Sequence, residues 1–118
     1  MEQYNATITI KNHDQEEKMK LKINISEDRI WYIENDINKT LTLFNLKDDT
    51  LERDNKEIYL KYSFKENNYT NNLLEIKSFN SNTNVEIYTK KIIKSDSLLR
   101  INYLIDDNEF IYEIKILK

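Results

Sequence analysis

Hydrophobic and polar residues alternate along most of this chain. The alternation is clearest from residue 98 onward, where two runs with a period of two flank the polar residues 106–109. The apolar positions of these runs are Leu99, Ile101, Tyr103 and Ile105, followed by Phe110, Tyr112, Ile114 and Ile116. Successive side chains of a β-strand point to opposite faces, so this period is typical of strands with one buried face. The segment therefore predicts a β-hairpin.

The same period recurs throughout the chain and predicts eight or nine strands. Their expected bounds are residues 3–12, 17–25, 29–34, 39–46, 57–64, 72–79, 84–93, 98–105 and 109–117. The connections are short and polar, which favours antiparallel meandering strands over the helical crossovers of a parallel sheet. Residues 47–56 form the longest irregular stretch, and we expect a solvated loop there, with a helical turn as the alternative.

The edge strands of the predicted sheet favour its closure into a barrel. An edge strand exposes unpaired backbone groups, and strands that run from about residue 4 to about residue 117 leave no tail to cover them. A barrel solves this problem, because its first and last strands meet. We therefore predict an all-β fold, a small antiparallel up-and-down β-barrel of eight to nine strands, with a two-sheet β-sandwich as the alternative. At 118 residues we expect one domain over residues 1–118.

Several of these strands resemble the YwiB-like family of bacterial β-barrels. The matching segments are residues 73–77 (LLEIK), 86–92 (EIYTKKI), 99–105 (LRINYLI) and 110–116, with 6–11 and 19–25 fitting in order and spacing. The resemblance implies a lipocalin-like (calycin) barrel without an established biochemical activity, and it implies no catalytic residues. The chain departs from the family in lacking glycine at its turns, notably at 35–36 and 71–72.

Turns in this chain must form without glycine or proline, since both are absent. Asparagine tolerates the left-handed backbone region better than other residues with a side chain. We therefore expect asparagine and aspartate to form the corners at 35–36, 67–68, 71–72, 80, 82 and 107–108.

Charge and cysteine content narrow the classes of function. The net charge is only −3, from 18 basic and 21 acidic residues, so neither nucleic acid nor a membrane surface is an expected partner. The absence of cysteine excludes disulfides, thiolate zinc sites and a cysteine nucleophile. No basic and apolar leader precedes Tyr4, and no apolar run reaches the length of a membrane helix, so we expect a cytoplasmic location.

No cluster in the sequence has the spacing of a catalytic or metal site. His13 is the one histidine and lies in a predicted turn, where a base has no fixed partner. The acidic pairs lack the spacing of a calcium loop. We therefore expect no cofactor and no enzymatic activity. Two carboxylates brought together by the fold, for instance Glu75 and Glu113, are the enzymatic alternative.

Tyrosines provide the candidate ligand-binding positions. By parity with its apolar neighbours Tyr62 faces inward, and the same parity places Tyr103 and Tyr112 on the buried face. Buried hydroxyls need hydrogen-bond partners, so they bond one another, backbone or trapped water, or they present their oxygens to a ligand. We expect Trp31 to line the same interior or to cap its mouth.

Two functions remain open at this point. The first is a lipocalin-like module that binds a small amphipathic or hydrophobic ligand in the barrel, through Trp31, Tyr62, Tyr103 and Tyr112. A barrel of eight strands is just wide enough to hold one small ligand or to be filled by its own side chains. The second is a solid-core structural or protein-interaction module, a homodimer or the binder of another protein, that works through an outer patch formed by Leu104, Ile111 and Leu117.

Overall fold

The computed structural model describes residues 2–118 as a closed barrel. The strands are β1 (Glu2–Asn12), β2 (Glu16–Ser26), β3 (Arg29–Ile33), β4 (Leu41–Asn45), β5 (Thr50–Asp54), β6 (Ile58–Ser63), β7 (Asn68–Ile76), β8 (Ser81–Lys94), β9 (Leu98–Ile105) and β10 (Asn108–Leu117). Each strand pairs antiparallel with its neighbours in sequence, and β1 pairs with β10. The predicted all-β closed barrel is confirmed, but it has ten strands rather than eight to nine.

Helix is confined to one short segment of the described chain. A three-residue 3-10 helix, Lys77–Phe79, connects β7 to β8. Within residues 2–118 no helix combines the length and the apolar character that a membrane crossing requires.

The strand that the sequence analysis missed is β5. Its inward positions are Leu51 and Arg53, whose partners on β4 are the buried residues Phe44 and Thr42. One of the two inward positions therefore carries a charge, which hides the alternation. The charge is tolerated because Arg53 forms two hydrogen bonds to the carboxylate of Glu34. The expected loop over residues 47–56 is thus wrong for residues 50–54.

Seven residues with a side chain take up the left-handed turn conformation in the described chain. They are Glu27, Lys39, Asp49, Asn67, Asn80, Asp106 and Asp107, with φ between 49° and 67°. Asn67, Asn80 and Asp107 lie at predicted corners. The corners expected at 71–72 and 82 are wrong, since these residues lie inside β7 and β8.

The core fills the barrel interior with inward side chains from around the wall. The side chains with no exposure include Ile8, Ile23, Phe44, Ile87, Ile101 and Ile114, which come from six different strands. Burial of one such side chain stabilises the fold by about 1.5–3 kcal/mol relative to leaving it in water. The core is thus distributed over the whole closed sheet.

Strands β6 and β7 are joined partly by side chains. Their backbones pair over four residue positions only. Beyond these, the amide N–H of Ser63 donates to Asn72 Oδ1 at 2.6 Å, and the Thr70 hydroxyl donates to the Ser63 carbonyl at 2.6 Å. The Asn72 amide also donates to the Val85 carbonyl on β8 at 3.2 Å. We refer to this contact of Ser63, Thr70 and Asn72 as the β6–β7 seam.

Candidate functional site

Two groups of hydrogen-bonded polar side chains lie inside the barrel. The hydroxyl oxygens of Tyr32 and Tyr112 lie 2.6 Å apart. The Thr42 hydroxyl donates to the Glu34 carboxylate at 2.6 Å, and Arg53 donates to it from Nε and Nη2 at 2.9 and 2.8 Å. The Glu34 side chain is only 4% exposed, whereas that of Arg53 is 27% exposed. Three donors and an opposite charge compensate the burial of this carboxylate.

Protonation in this network follows from burial. Desolvation raises the pKa of both Tyr32 and Tyr112. Burial by itself lowers the pKa of Arg53, but the hydrogen bonds and the charge of Glu34 outweigh it, so the net shift is upward. Near neutral pH both phenols therefore keep their protons and the guanidinium stays charged.

Three of the four predicted site residues lie in the interior. Tyr112 is fully buried and engaged with Tyr32. The Tyr103 ring packs between Phe64 and Phe110, at centroid distances of 5.1 and 5.4 Å. Tyr62 is half-buried.

The hydroxyls of Tyr62 and Tyr103 differ from that of Tyr112. Burial raises the pKa of both, and no hydrogen bond from another described residue contributes to either shift. The positive charge of Arg53 acts on the pKa of both phenols in the opposite direction. Two phenols thus keep hydrogen-bonding capacity inside the barrel.

Trp31 does not belong to this interior set. Its neighbours Ile30 and Tyr32 are buried and face inward, so Trp31 lies on the outer face of β3. There it is opposite Asn24 of β2 and Leu43 of β4. The expectation that Trp31 lines the interior is therefore wrong. Two adjacent aromatic residues left the parity of this strand ambiguous in the sequence.

The outer patch expected at Leu104, Ile111 and Leu117 is not continuous. Leu117 is 54% exposed, but the other two are half-buried and face Glu109 and Asn102 on the neighbouring strand. Other apolar side chains on the wall are more exposed than Leu104 and Ile111, namely the register pair Ile33 and Leu41, and Leu73.

The two carboxylates of the enzymatic alternative lie on the outer face of the wall. Glu75 faces Tyr59 across β6, and Glu113 lies 3.2 Å from the Nε atom of Arg100 on β9. Their strands, β7 and β10, are separated by β8 and β9 in the sheet. The fold therefore does not bring this pair together.

A cavity of about 580 Å³ lies at one end of the barrel, and we call it the mouth pocket. Its floor consists of apolar side chains: Ile25, Ile30, Leu46, Leu98, Leu99 and Ile116. Its charged rim consists of Glu2, Glu27, Lys94, Asp96 and Lys118, with Tyr4 as an aromatic wall. The volume is within the range of small-molecule sites in proteins. No local sequence pattern identifies the pocket, because its lining comes from six strands and three turns.

Hydrogen bonds join residues of the mouth pocket to the neighbouring turns. The Leu46 amide donates to the Asp28 carbonyl at 2.6 Å, and the Ile116 amide donates to the Ser97 carbonyl at 2.8 Å. Lys94 Nζ donates to the Leu46 carbonyl at 3.1 Å and to the Asp49 carboxylate at 2.8 Å. The end of β8 is thereby tied to the β4–β5 turn.

An aromatic and ionic contact closes one side of the mouth pocket. The Tyr4 hydroxyl donates a hydrogen bond to the Glu2 carboxylate, and this bond raises the pKa of Tyr4. The Lys118 ammonium lies over the Tyr4 ring, 5.5 Å from the ring centroid. This distance is within the range of a cation–π interaction.

A solved structure with a similar fold is that of the YwiB protein from Bacillus subtilis. The alignment has a TM-score of 0.59 at 11% sequence identity, and it covers 98% of this chain and 91% of that chain. This chain shares the barrel fold of YwiB. The predicted resemblance is confirmed at the level of fold, and at this identity YwiB carries no residue roles over. No protein-family model and no curated protein sequence matches this chain.

Proposed function

We propose that this protein is a non-enzymatic binding protein that holds a small amphipathic ligand in the mouth pocket. The observation that carries the proposal is the floor of that pocket. Ile30, Leu99 and Ile116 are core residues of the barrel, yet they line a cavity of about 580 Å³. An open cavity that ends on core side chains is suited to bury the apolar part of a ligand against them.

Binding would combine burial with orientation. Each 100 Å² of ligand surface removed from water on the apolar floor contributes about 2.5 kcal/mol before the costs of association. The charged rim then selects the polar end of the ligand and keeps it in water. No bond-breaking step is needed.

Side chains fill the centre of the barrel, which favours a ligand site at the mouth over one at the centre. The Tyr32–Tyr112 hydrogen bond and the ring of Phe44, 6.3 Å from that of Tyr112, occupy the interior. Tyr62 and Tyr103 stay candidates for holding a polar group beside Arg53, because their hydroxyls have capacity to spare.

The proposal is tested by nuclear magnetic resonance of the ¹⁵N-labelled protein, titrated with eight-carbon amphiphiles. We expect amide shifts at Ile30, Leu99 and Ile116. Leu46→Trp should fill the pocket and abolish these shifts. Leu104→Trp, on the half-buried outer face of β9, is the matched control and should leave them unchanged. A titration that leaves all pocket amides unshifted would refute the proposal.

The solid-core interaction module is the second candidate, and exposed apolar side chains on the outer wall favour it. Ile33 and Leu41 are 55% and 44% exposed and lie opposite each other in register. A homodimer through this face should be visible by sedimentation and should dissociate in Ile33→Asp. A monomer at all concentrations would count against self-association.

A further inference from the structure

We infer that the mouth pocket selects organic cations, and that the Lys118 ammonium occupies the cation position when no ligand is bound. The inference rests on the proposed function, since it names the class of ligand for the same pocket. The ligand class is an alkyl- or arylalkylammonium, with an apolar body on the floor and a cationic head at Tyr4.

The charge balance of the rim supports a cationic ligand. Three carboxylates line the pocket, those of Glu2, Glu27 and Asp96. Of the two lysines that line it, Lys94 lies 2.8 Å from the Asp49 carboxylate and is neutralised by it. Among the lining residues that the structure describes, Lys118 alone is left to balance three acidic groups. The local field therefore favours a positive ligand and opposes an anion.

The Tyr4 ring gives the cation a defined position. Its hydroxyl is anchored on Glu2, which places a carboxylate beside the ring. The Lys118 ammonium already lies over the ring face at 5.5 Å. An aromatic face combined with a nearby carboxylate is the chemistry that recognises an ammonium group. A ligand with the same group would replace the lysine in the same contact.

The apolar floor makes the site amphipathic rather than a site for a bare cation. Ile30, Leu99 and Ile116 are 3%, 2% and 8% exposed, so these floor side chains are packed in the barrel core, and they offer no polar atom to an inorganic ion. The cation that fits must therefore carry a hydrocarbon part. Its head lies at the rim while its chain covers the floor.

The ligand class is tested with three compounds that share a hydrocarbon body: octylammonium, 1-octanol and octanoate, each titrated by nuclear magnetic resonance at low salt. We expect the order octylammonium, then octanol, then octanoate, with about tenfold between the two ions. If none of the three binds, the proposed function itself fails. If octanol or octanoate binds as tightly as octylammonium, the pocket exists but the inference is overturned.

Substitutions distinguish the contribution of the cation contact to binding from that of apolar burial. Tyr4→Leu should weaken octylammonium binding about threefold, the scale of an exposed cation–π contact, and leave octanol binding unchanged. Lys118→Met should tighten octylammonium binding several-fold, because it removes the competing ammonium. Lys115→Met is the matched control, since Lys115 is an exposed lysine of β10 outside the pocket and carries the same charge. Equal effects of Lys118→Met and Lys115→Met would show only a change in net charge and would overturn the Lys118 assignment.

Discussion

Replacing Glu34 by glutamine tests whether the interior ion pair holds the barrel together. The carboxylate accepts three hydrogen bonds, one from Thr42 and two from Arg53. Breaking a buried ion pair by removing one partner costs about 3–5 kcal/mol. The Arg53 side chain is 27% exposed, so water compensates part of its charge, and we expect the lower end, about 3 kcal/mol. That is a large share of the roughly 5–15 kcal/mol that stabilises a typical domain.

Urea denaturation followed by circular dichroism measures this loss as a lower midpoint with an unchanged m-value. Glu52→Gln is the matched control. Glu52 lies on the outward side of β5 and accepts one hydrogen bond from Tyr59, so its replacement should cost less than about 1 kcal/mol. A Glu34→Gln protein within 0.5 kcal/mol of the wild type, roughly the scale of a surface substitution, would refute the role given to the pair.

Three further predictions concern single groups. Tyr112→Phe leaves the Tyr32 hydroxyl buried without its partner and should lower the free energy of unfolding by about 1–3 kcal/mol. The double variant Tyr32→Phe with Tyr112→Phe should recover part of this loss, and additive losses would contradict the pairing. Lys39→Gly should raise the free energy of unfolding by about 1 kcal/mol in the same assay, because Lys39 has φ 51°; a loss of stability would show that the turn is not strained. The hydrogen bond to Glu52 raises the pKa of Tyr59 to about 12, so this group contributes stability that is present below its unfolded pKa of about 10 and is lost as pH rises towards 12. Tyr59→Phe should therefore make the alkaline loss of stability shallower between about pH 10 and 12, and an unchanged profile would exclude this contribution.

The strands could be predicted from the sequence wherever apolar side chains mark the inward positions. Strand β9 was predicted with its observed bounds, Leu98–Ile105, because its inward residues are all apolar. Strand β5 could not be predicted in this way, because Arg53 takes an inward position, and the same holds for the interior position of the charged Glu34. Glu34 is nevertheless in phase with Ile30 and Tyr32, so the parity of β3 carried a usable signal once the inward face was known.

The candidate site was harder to predict than the fold. Tyr103 and Tyr112 were placed correctly because each lies in an unambiguous alternating run. The mouth pocket depends instead on how the ends of distant strands converge, for example Ile30 of β3 and Ile116 of β10. Such convergence is a property of barrel closure and register, and neither is contained in a local pattern of residues.

The β6–β7 seam is a part of the closed wall where two neighbouring strands can separate locally. Two strands joined by a backbone ladder separate only when several hydrogen bonds break together. At the seam, Asn72 and Thr70 instead hold Ser63 through side chains that rotate independently. Local openings of this kind require less free energy than global unfolding. The Ser63 amide proton should therefore exchange with deuterium faster than the amide protons of the long β1–β10 ladder.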